Sequence, residues 1–201
     1  SETQFSNDHD VLPSVRTWVE NYGDTISKDT ESIPANHLSI NGKVLPQLLP
    51  TAPSRTLQAS DIANWMNQAT YGSVPTVSVN ALTTATLEKT DADASAGMYI
   101  NGIAIPADAS RTSLTALADY INQFAGNLTN VEANVKDGKL VLTNAIGYGG
   151  RDILVGEVDG DGKVANEQTY KGILNFSQEG NITIGYGPDG ETYNINADVV
   201  A

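Results

Sequence analysis

The densest candidate chemistry in this chain lies in Glu157-Val158-Asp159-Gly160-Asp161-Gly162, where carboxylates fall at alternate positions. Carboxylates spaced this way on a loop can converge on one cation, as at the opening of a calcium loop, with Gly162 at the sharp turn. The twelfth position is Gln168 instead of a bidentate Glu, Glu167 falls one place early, and no helix pair flanks the run. The run therefore reads as an acidic Asp-Gly hairpin tip, and no metal ligand is assigned. Only His9 and His37 could act as bases at neutral pH. His9 lies in a polar start, and His37 lies beside a strand without a patterned partner, so neither is assigned a catalytic role. The chain has no cysteine, which excludes disulfides, thiolate zinc sites and thiol nucleophiles together. Gly147-Tyr148-Gly149-Gly150 is rich enough in glycine for a phosphate loop, but no Lys-Ser or Lys-Thr follows, and it reads as a connection between strands. Trp65, with Tyr99 and Tyr120, could line a sugar-binding face, yet the helical spacing around Trp65 places it in a core. Asn127-Leu128-Thr129, Asn175-Phe176-Ser177 and Asn181-Ile182-Thr183 are glycosylation triplets, so surface glycans are a candidate modification. No catalytic, cofactor-binding or metal-binding residue is assigned, and a non-enzyme is expected.

The elements behind these residues are organised as a repeat. Ile40-Asn41-Gly42, followed by Val44, Leu45 and Pro46, is answered by Ile100-Asn101-Gly102, followed by Ala104, Ile105 and Pro106. Asn-Gly accepts positive φ and suits a two-residue hairpin turn, and each Pro lacks the N–H needed to continue a ladder. In the later copy, Leu114, Leu117, Ile121 and Phe124 trace one helical face, with Ser113 as N-cap and Gly126 as the expected stop. In the earlier copy, Ile62, Trp65, Met66 and Ala69 form the matching stripe, with Gly72 as the stop. The helices end alike, in Asn67-Gln68 and Asn122-Gln123.

Two strand-like runs follow each helix. Val131, Ala133 and Val135 alternate as in a half-buried strand, and Lys136-Asp137-Gly138-Lys139 is a type I′ hairpin signal leading into Leu140 to Thr143. In the earlier copy, Val77 and Val79, then Leu82 to Leu87, fill these places. Asp91 to Gly97 reads as a small-residue linker, Ser14 to Tyr22 as a short helix, and Gly172 to Phe176, Ile182 to Tyr186 and Tyr193 to Ile195 as further strands. The expected fold is α+β and strand-dominated: two strand-helix-hairpin (β-α-β-β) modules in tandem with flanking strands. The boundaries are 1–35 for an N-terminal flank, 36–96 and 97–156 for the two Ile-Asn-Gly modules, and 157–201 for a β-rich C-terminal flank.

Charge narrows the partners. Eleven basic residues against 24 acidic ones give a net charge of -13. Such a surface repels phosphate and anionic lipid, so neither nucleic acid nor membrane is an expected partner. No run approaches the roughly 20 apolar residues that a membrane span needs. Ser1 to Asp10 is polar and carries no signal peptide, and the chain reads as a segment of a longer protein.

The later copy resembles the flagellin Ile-Asn motif, a module of bacterial flagellins and of hook-associated and filament-cap proteins. The residues that carry the resemblance are Met98 to Ile105, Ser113-Leu114, Ala118 to Asn122, Val131 to Val135, Asp137 to Thr143, and Gly150-Arg151-Asp152-Ile153. Lys171 to Phe176 and Ile182 to Ile184 are similar, more loosely, to a further flagellin strand pair. The resemblance implies an extracellular, surface-exposed outer domain of a flagellar filament, junction or cap protein, with a structural part in motility. It also implies that neighbouring subunits would be met through long terminal helices. No window of this chain has sustained heptad spacing, so those helices would lie outside it. Trp18 and Trp65 are unusual for flagellins and favour a hook-associated or junction protein. An adhesin-type or carbohydrate-binding surface module is the alternative.

Overall fold

The computed structural model describes residues 3–6, 35–36, 38–49, 57–178, 182–186 and 191–195, with backbone alone for 3–6 and the last two stretches. His9, His37, the run Ser14 to Tyr22, and Gly180-Asn181 and Asp189-Gly190, which the sequence offers as turns between the last strands, lie outside the described residues. The described part is a strand-dominated α+β fold with several small, largely antiparallel sheets. No helix among the described residues is long and apolar enough to cross a membrane.

The chain forms two units: Ser1–Ala81 together with Ile173–Ala201, and Leu82–Gly172. The second interrupts the first in sequence, so they are termed the host and inserted units. The host contains β1 (Thr3–Ser6), β2 (Leu38–Ile40), β3 (Lys43–Val44), α1 (Ala59–Ala69) and β4 (Ser78–Leu82). The inserted unit follows with β5 (Thr84–Leu87), β6 (Met98–Ile100), β7 (Ile103–Ile105), α2 (Leu114–Tyr120), α3 (Gly126–Thr129), β8 (Val131–Lys136), β9 (Lys139–Asn144), β10 (Ile153–Val158) and β11 (Val164–Tyr170). The host then resumes with β12 (Ile173–Gln178), β13 (Ile182–Tyr186) and β14 (Glu191–Ile195).

Strand order repeats between the units. The host sheets run β14-β13-β2-β3 and β1-β12-β4, and the inserted sheets run β11-β10-β6-β7 and β5-β9-β8. The register repeats as well. Ile184, Gly185 and Tyr186 face Ile40, Ser39 and Leu38, just as Val155, Gly156 and Glu157 face Ile100, Tyr99 and Met98. Each unit has its own core. Leu38, Ile40, Ile62, Trp65, Met66 and Phe176 pack in the host, and Ile100, Leu117, Ile121, Leu140, Leu142 and Ile153 in the inserted unit.

This division differs from the four consecutive segments expected at 1–35, 36–96, 97–156 and 157–201. Residues 84–87 do not complete the earlier hairpin, because Thr83 alone separates β4 from β5 and a two-residue turn does not fit there. Instead β5 pairs with β9, from Thr84 opposite Thr143 to Leu87 opposite Leu140. The strand beside β4 is β12, which begins only at Ile173. Asp91 to Gly97 is no linker: it holds a 3₁₀ turn at Asp91–Asp93, and Ala94 is buried in the inserted core. Each flank contributes at least one strand to the sheets, since β1 pairs with β12 and β11 with β10.

The turns follow the sequence. Asn41-Gly42, Asn101-Gly102 and Asp137-Gly138 all have positive φ at both residues and close two-residue hairpins. Pro46 and Pro106 follow β3 and β7 directly or by one residue. α1 starts with a capping box in which the Gln58 N–H donates to Asp61 Oδ2 at 2.9 Å. Ser113 caps α2, its Oγ accepting from Ala116 N at 3.1 Å. The expected stop at Gly126 is displaced. A π turn at Ile121–Ala125 carries the chain into α3, Gly126 stays right-handed, and Asn130 takes the left-handed position at φ 59°. The extra residue of a π turn rotates the helix face. Ala125 therefore takes the buried place expected for Phe124, which is 68 % exposed.

Candidate functional site

The acidic tip of the β10–β11 hairpin is held together by its own carboxylate. Asp159 Oδ1 accepts from Asp161 N and from Lys163 N, both at 2.8 Å. Gly162 has φ 77°, and its carbonyl accepts from the Tyr99 hydroxyl. Glu157 Oε2 accepts from Asn166 Nδ2 at 2.9 Å, on the β strands below the tip. The Asp159 carboxylate thus organises turn backbone. Among the described residues, no three His, Asp or Glu side chains converge as a metal would require.

Gly147 to Gly150 is the connection between β9 and β10, with Gly147 and Gly150 at positive φ. Arg151 lies 4.8 Å from the centre of the Tyr148 ring. Asn144 fastens the loop, its Oδ1 accepting from Gly150 N at 2.8 Å and from Thr83 N at 2.7 Å. Of the three aromatic candidates, Trp65 is buried in the host core, and Tyr99 and Tyr120 belong to the inserted unit. The Trp65 indole N–H is buried without an acceptor among the described residues. Of the glycosylation triplets, Asn127 is exposed, but the Thr129 hydroxyl of the same triplet is buried and donates to Ala125 O at 3.0 Å. Asn175 lies in β12, between β1 and β4, and Asn181 lies outside the described residues.

Side chains do converge at the Ile-Asn-Gly turn. In the inserted unit, Asn101 N donates to Leu154 O and Leu154 N donates to Asn101 Oδ1, both at 2.8 Å. Asn101 Nδ2 donates to Thr129 O at 2.7 Å. One side chain therefore joins the β6–β7 turn, β10 and the end of α3, while its backbone holds the left-handed φ of 49°. Asn combines tolerance of that conformation with a donor and an acceptor on a short stem. In the host, Asn41 at φ 51° donates to Gln178 Oε1.

A second Asn recurs at the helix. Asn67 Nδ2 donates to Val79 O at 2.7 Å, and Val79 N donates to Asn67 Oδ1 at 2.8 Å. Asn122 makes the same pair with Ala133, both bonds at 2.8 Å. The matching Asn-Gln ends of the two helices were legible in sequence, but a contact between helix and strand was not.

Sequence reasoning also missed Arg111. Its side chain is buried, with Nε donating to Ala94 O at 2.6 Å and Nη2 to Pro106 O at 2.8 Å, and its guanidinium lies 5.2 Å from the centre of the Tyr120 ring. It fastens the segment before β6 to the segment after β7. A lone Arg among small residues carries no spacing signal. Two carboxyls nearby are held below their ordinary values by hydrogen bonds. Asp93 is lowered first by the Thr90 backbone N–H and then by its hydroxyl, and Asp108 first by the Ser110 hydroxyl and then by its N–H.

Compared with known proteins, the chain matches no protein-family model and no curated protein sequence.

Proposed function

We propose that this chain is a non-catalytic structural module: an extracellular outer domain of a bacterial flagellar filament or hook-associated protein, contributing to filament surface and motility. We further read its two units as copies of one strand-helix-hairpin module, the later inserted in the hairpin of the earlier. The observation that carries the reading is the recurrence of the Ile-Asn-Gly turn with one register and one strand order in both units. The resemblance to the flagellin Ile-Asn motif supplies the setting. The Asn101 and Arg111 side chains converge on backbone groups, which is the arrangement of a scaffold. In this reading the partners are neighbouring subunits of the axial assembly, reached through helices beyond this segment. The acidic surface faces the medium and keeps neighbouring filaments apart.

The test is immunogold labelling of intact cells of the source bacterium with antibodies against residues 82–172. Label along the filament, or confined to its base or tip, supports the proposal and distinguishes filament, junction and cap. Label on the cell body with bare flagella contradicts it. Specific binding of the isolated chain to a glycan array would favour the adhesin-type alternative.

A further inference from the structure

We infer that Asn67 and Asn122 are edge guards: each carboxamide occupies open-edge backbone groups of its neighbouring strand and blocks the addition of a strand from another chain. The ladder geometry leads to this directly. Among the described residues, β8 is an end strand of its sheet, with β9 as its paired neighbour. The hairpin closes at Lys136 opposite Lys139 around the two-residue turn Asp137-Gly138. In such a hairpin the closing pair exchanges both backbone hydrogen bonds, and bonded and non-bonded pairs then alternate. Ala133 opposite Leu142 is consequently a non-bonded pair, and its N–H and C=O point away from β9 to the open edge.

Those are the two groups that Asn122 takes. Its Nδ2 donates to Ala133 O, and its Oδ1 accepts from Ala133 N, both at 2.8 Å. A carboxamide presents one donor side and one acceptor side like a peptide group, so Asn122 mimics one rung of an added strand. Val131, Ala133 and Val135 share the open-edge phase, and Asn122 closes the middle one. An incoming strand cannot form consecutive rungs past it. Near Val131, a side-chain carbon built on Gly126 would come within 4.0 Å of Val131 O, so the end of the helix lies against that rung.

The host repeats the device. β4 is the end strand of the three described in its sheet, and Val79 gives both backbone groups to Asn67 at 2.7 and 2.8 Å. The neighbouring Gln68 and Gln123, with the same functional group, are exposed on the helices. Unpaired edges are templates for intermolecular pairing, and blocking them is a recognised need of sheet proteins.

The test uses the full chain with Asn67→Ala, Asn122→Ala and the double substitution, set beside Ile121→Val, which weakens the inserted core and leaves both carboxamide pairs in place. Amide hydrogen exchange and sedimentation velocity are measured on samples with native-like circular dichroism. The inference expects the Ala133 amide in Asn122→Ala, and the Val79 amide in Asn67→Ala, to exchange at least tenfold faster. It also expects mass to rise with concentration in the double variant, and not in Ile121→Val or the parent chain. If the double variant does not fold, the same association is expected, more weakly, in each single variant. Variants that show faster exchange but sediment as the parent chain does would overturn the guard role and leave a helix tether only. Equal association in Ile121→Val would overturn it too, by tracing association to lost stability.

Discussion

The host and inserted units share a plan but assemble it from different distances along the chain. In the inserted unit the strand after the helix, β8, meets its partner β9 across the two-residue turn Asp137-Gly138. In the host the corresponding strand, β4, ends at Leu82, and its neighbour β12 begins at Ile173. The same sheet order thus depends on local contacts in one unit and on contacts spanning a whole domain in the other. Loop-closure cost rises only slowly with length, so the host tolerates the insertion thermodynamically, although its long-range contacts form more slowly. On the proposed reading, the difference teaches that a hairpin tip is a permissive insertion point, because its ends are already adjacent.

The comparison breaks most visibly under truncation. Residues 82–172 alone should give a cooperative thermal transition, because every described residue of the inserted core lies within them. A chain ending at Leu82 should show none, because Leu174 and Phe176, both fully buried in the host core, are lost. Circular dichroism melts of the two fragments check this.

Point substitutions should then separate the units. Phe176→Ala should destabilise the host by about 3–5 kcal/mol and Leu142→Ala the inserted unit by about 2–5 kcal/mol, each through lost burial and a residual cavity. Calorimetry of the full chain should show each substitution lowering its own transition, and a common shift would tell against separate cores.

Asn101→Ala removes the links to Thr129 and Leu154 and places a Cβ-bearing residue without a local hydrogen bond at φ 49°. A loss of about 2–4 kcal/mol is expected, from roughly 1 kcal/mol for each hydrogen bond and about 1 kcal/mol for the left-handed backbone. Asn101→Gly keeps the backbone freedom and should lose less. Urea denaturation of the inserted unit compares them, and equal losses would deny the backbone its share.

The smallest effect is one of pH. Asp93 and Asp108 both sit below the ordinary value of 3.8 because hydrogen bonds from Thr90 and Ser110 favour their carboxylates. Their contribution is complete above that ordinary value, which they regain on unfolding, and is lost as pH falls through the lower folded value. Protection of the Thr90 and Ser110 amides, taken relative to intrinsic exchange at each pH, should fall below about pH 3.8 and be unchanged between pH 5 and 8, while Asp93→Asn and Asp108→Asn should flatten the response.

Much of the local structure was legible in the sequence, because turns and caps depend on neighbours. Asn41-Gly42, Asn101-Gly102 and Asp137-Gly138 announced their turns, and Ser113 its cap. The buried stripe Leu114, Leu117 and Ile121 was readable until the π turn, which no periodicity reveals, sent Phe124 outward. β11 escaped notice because Val164 to Tyr170 is an edge strand with mostly exposed side chains and no alternation to read. The nesting was hidden for another reason: Leu82 to Leu87 is strand-like and adjacent to β4, and only Thr83, with its N–H bonded to Asn144 and its hydroxyl to Arg151 O, shows where the chain passes into the other unit. At the candidate sites, the acidic tip and the glycine-rich loop were read correctly as turns. The two Asn pairs at the helices were not, because a contact between helix and strand has no signature in either element alone.

The most direct measurement of this nested plan replaces residues 83–172 by an Asp-Gly pair and records the amide spectrum of the resulting host chain. The nested plan predicts that β4 and β12 then join through a two-residue turn, that Val79, Leu174 and Phe176 keep the amide shifts they have in the full chain, and that unfolding stays cooperative. A collapsed spectrum without those resonances, from a chain that remains soluble, would contradict it.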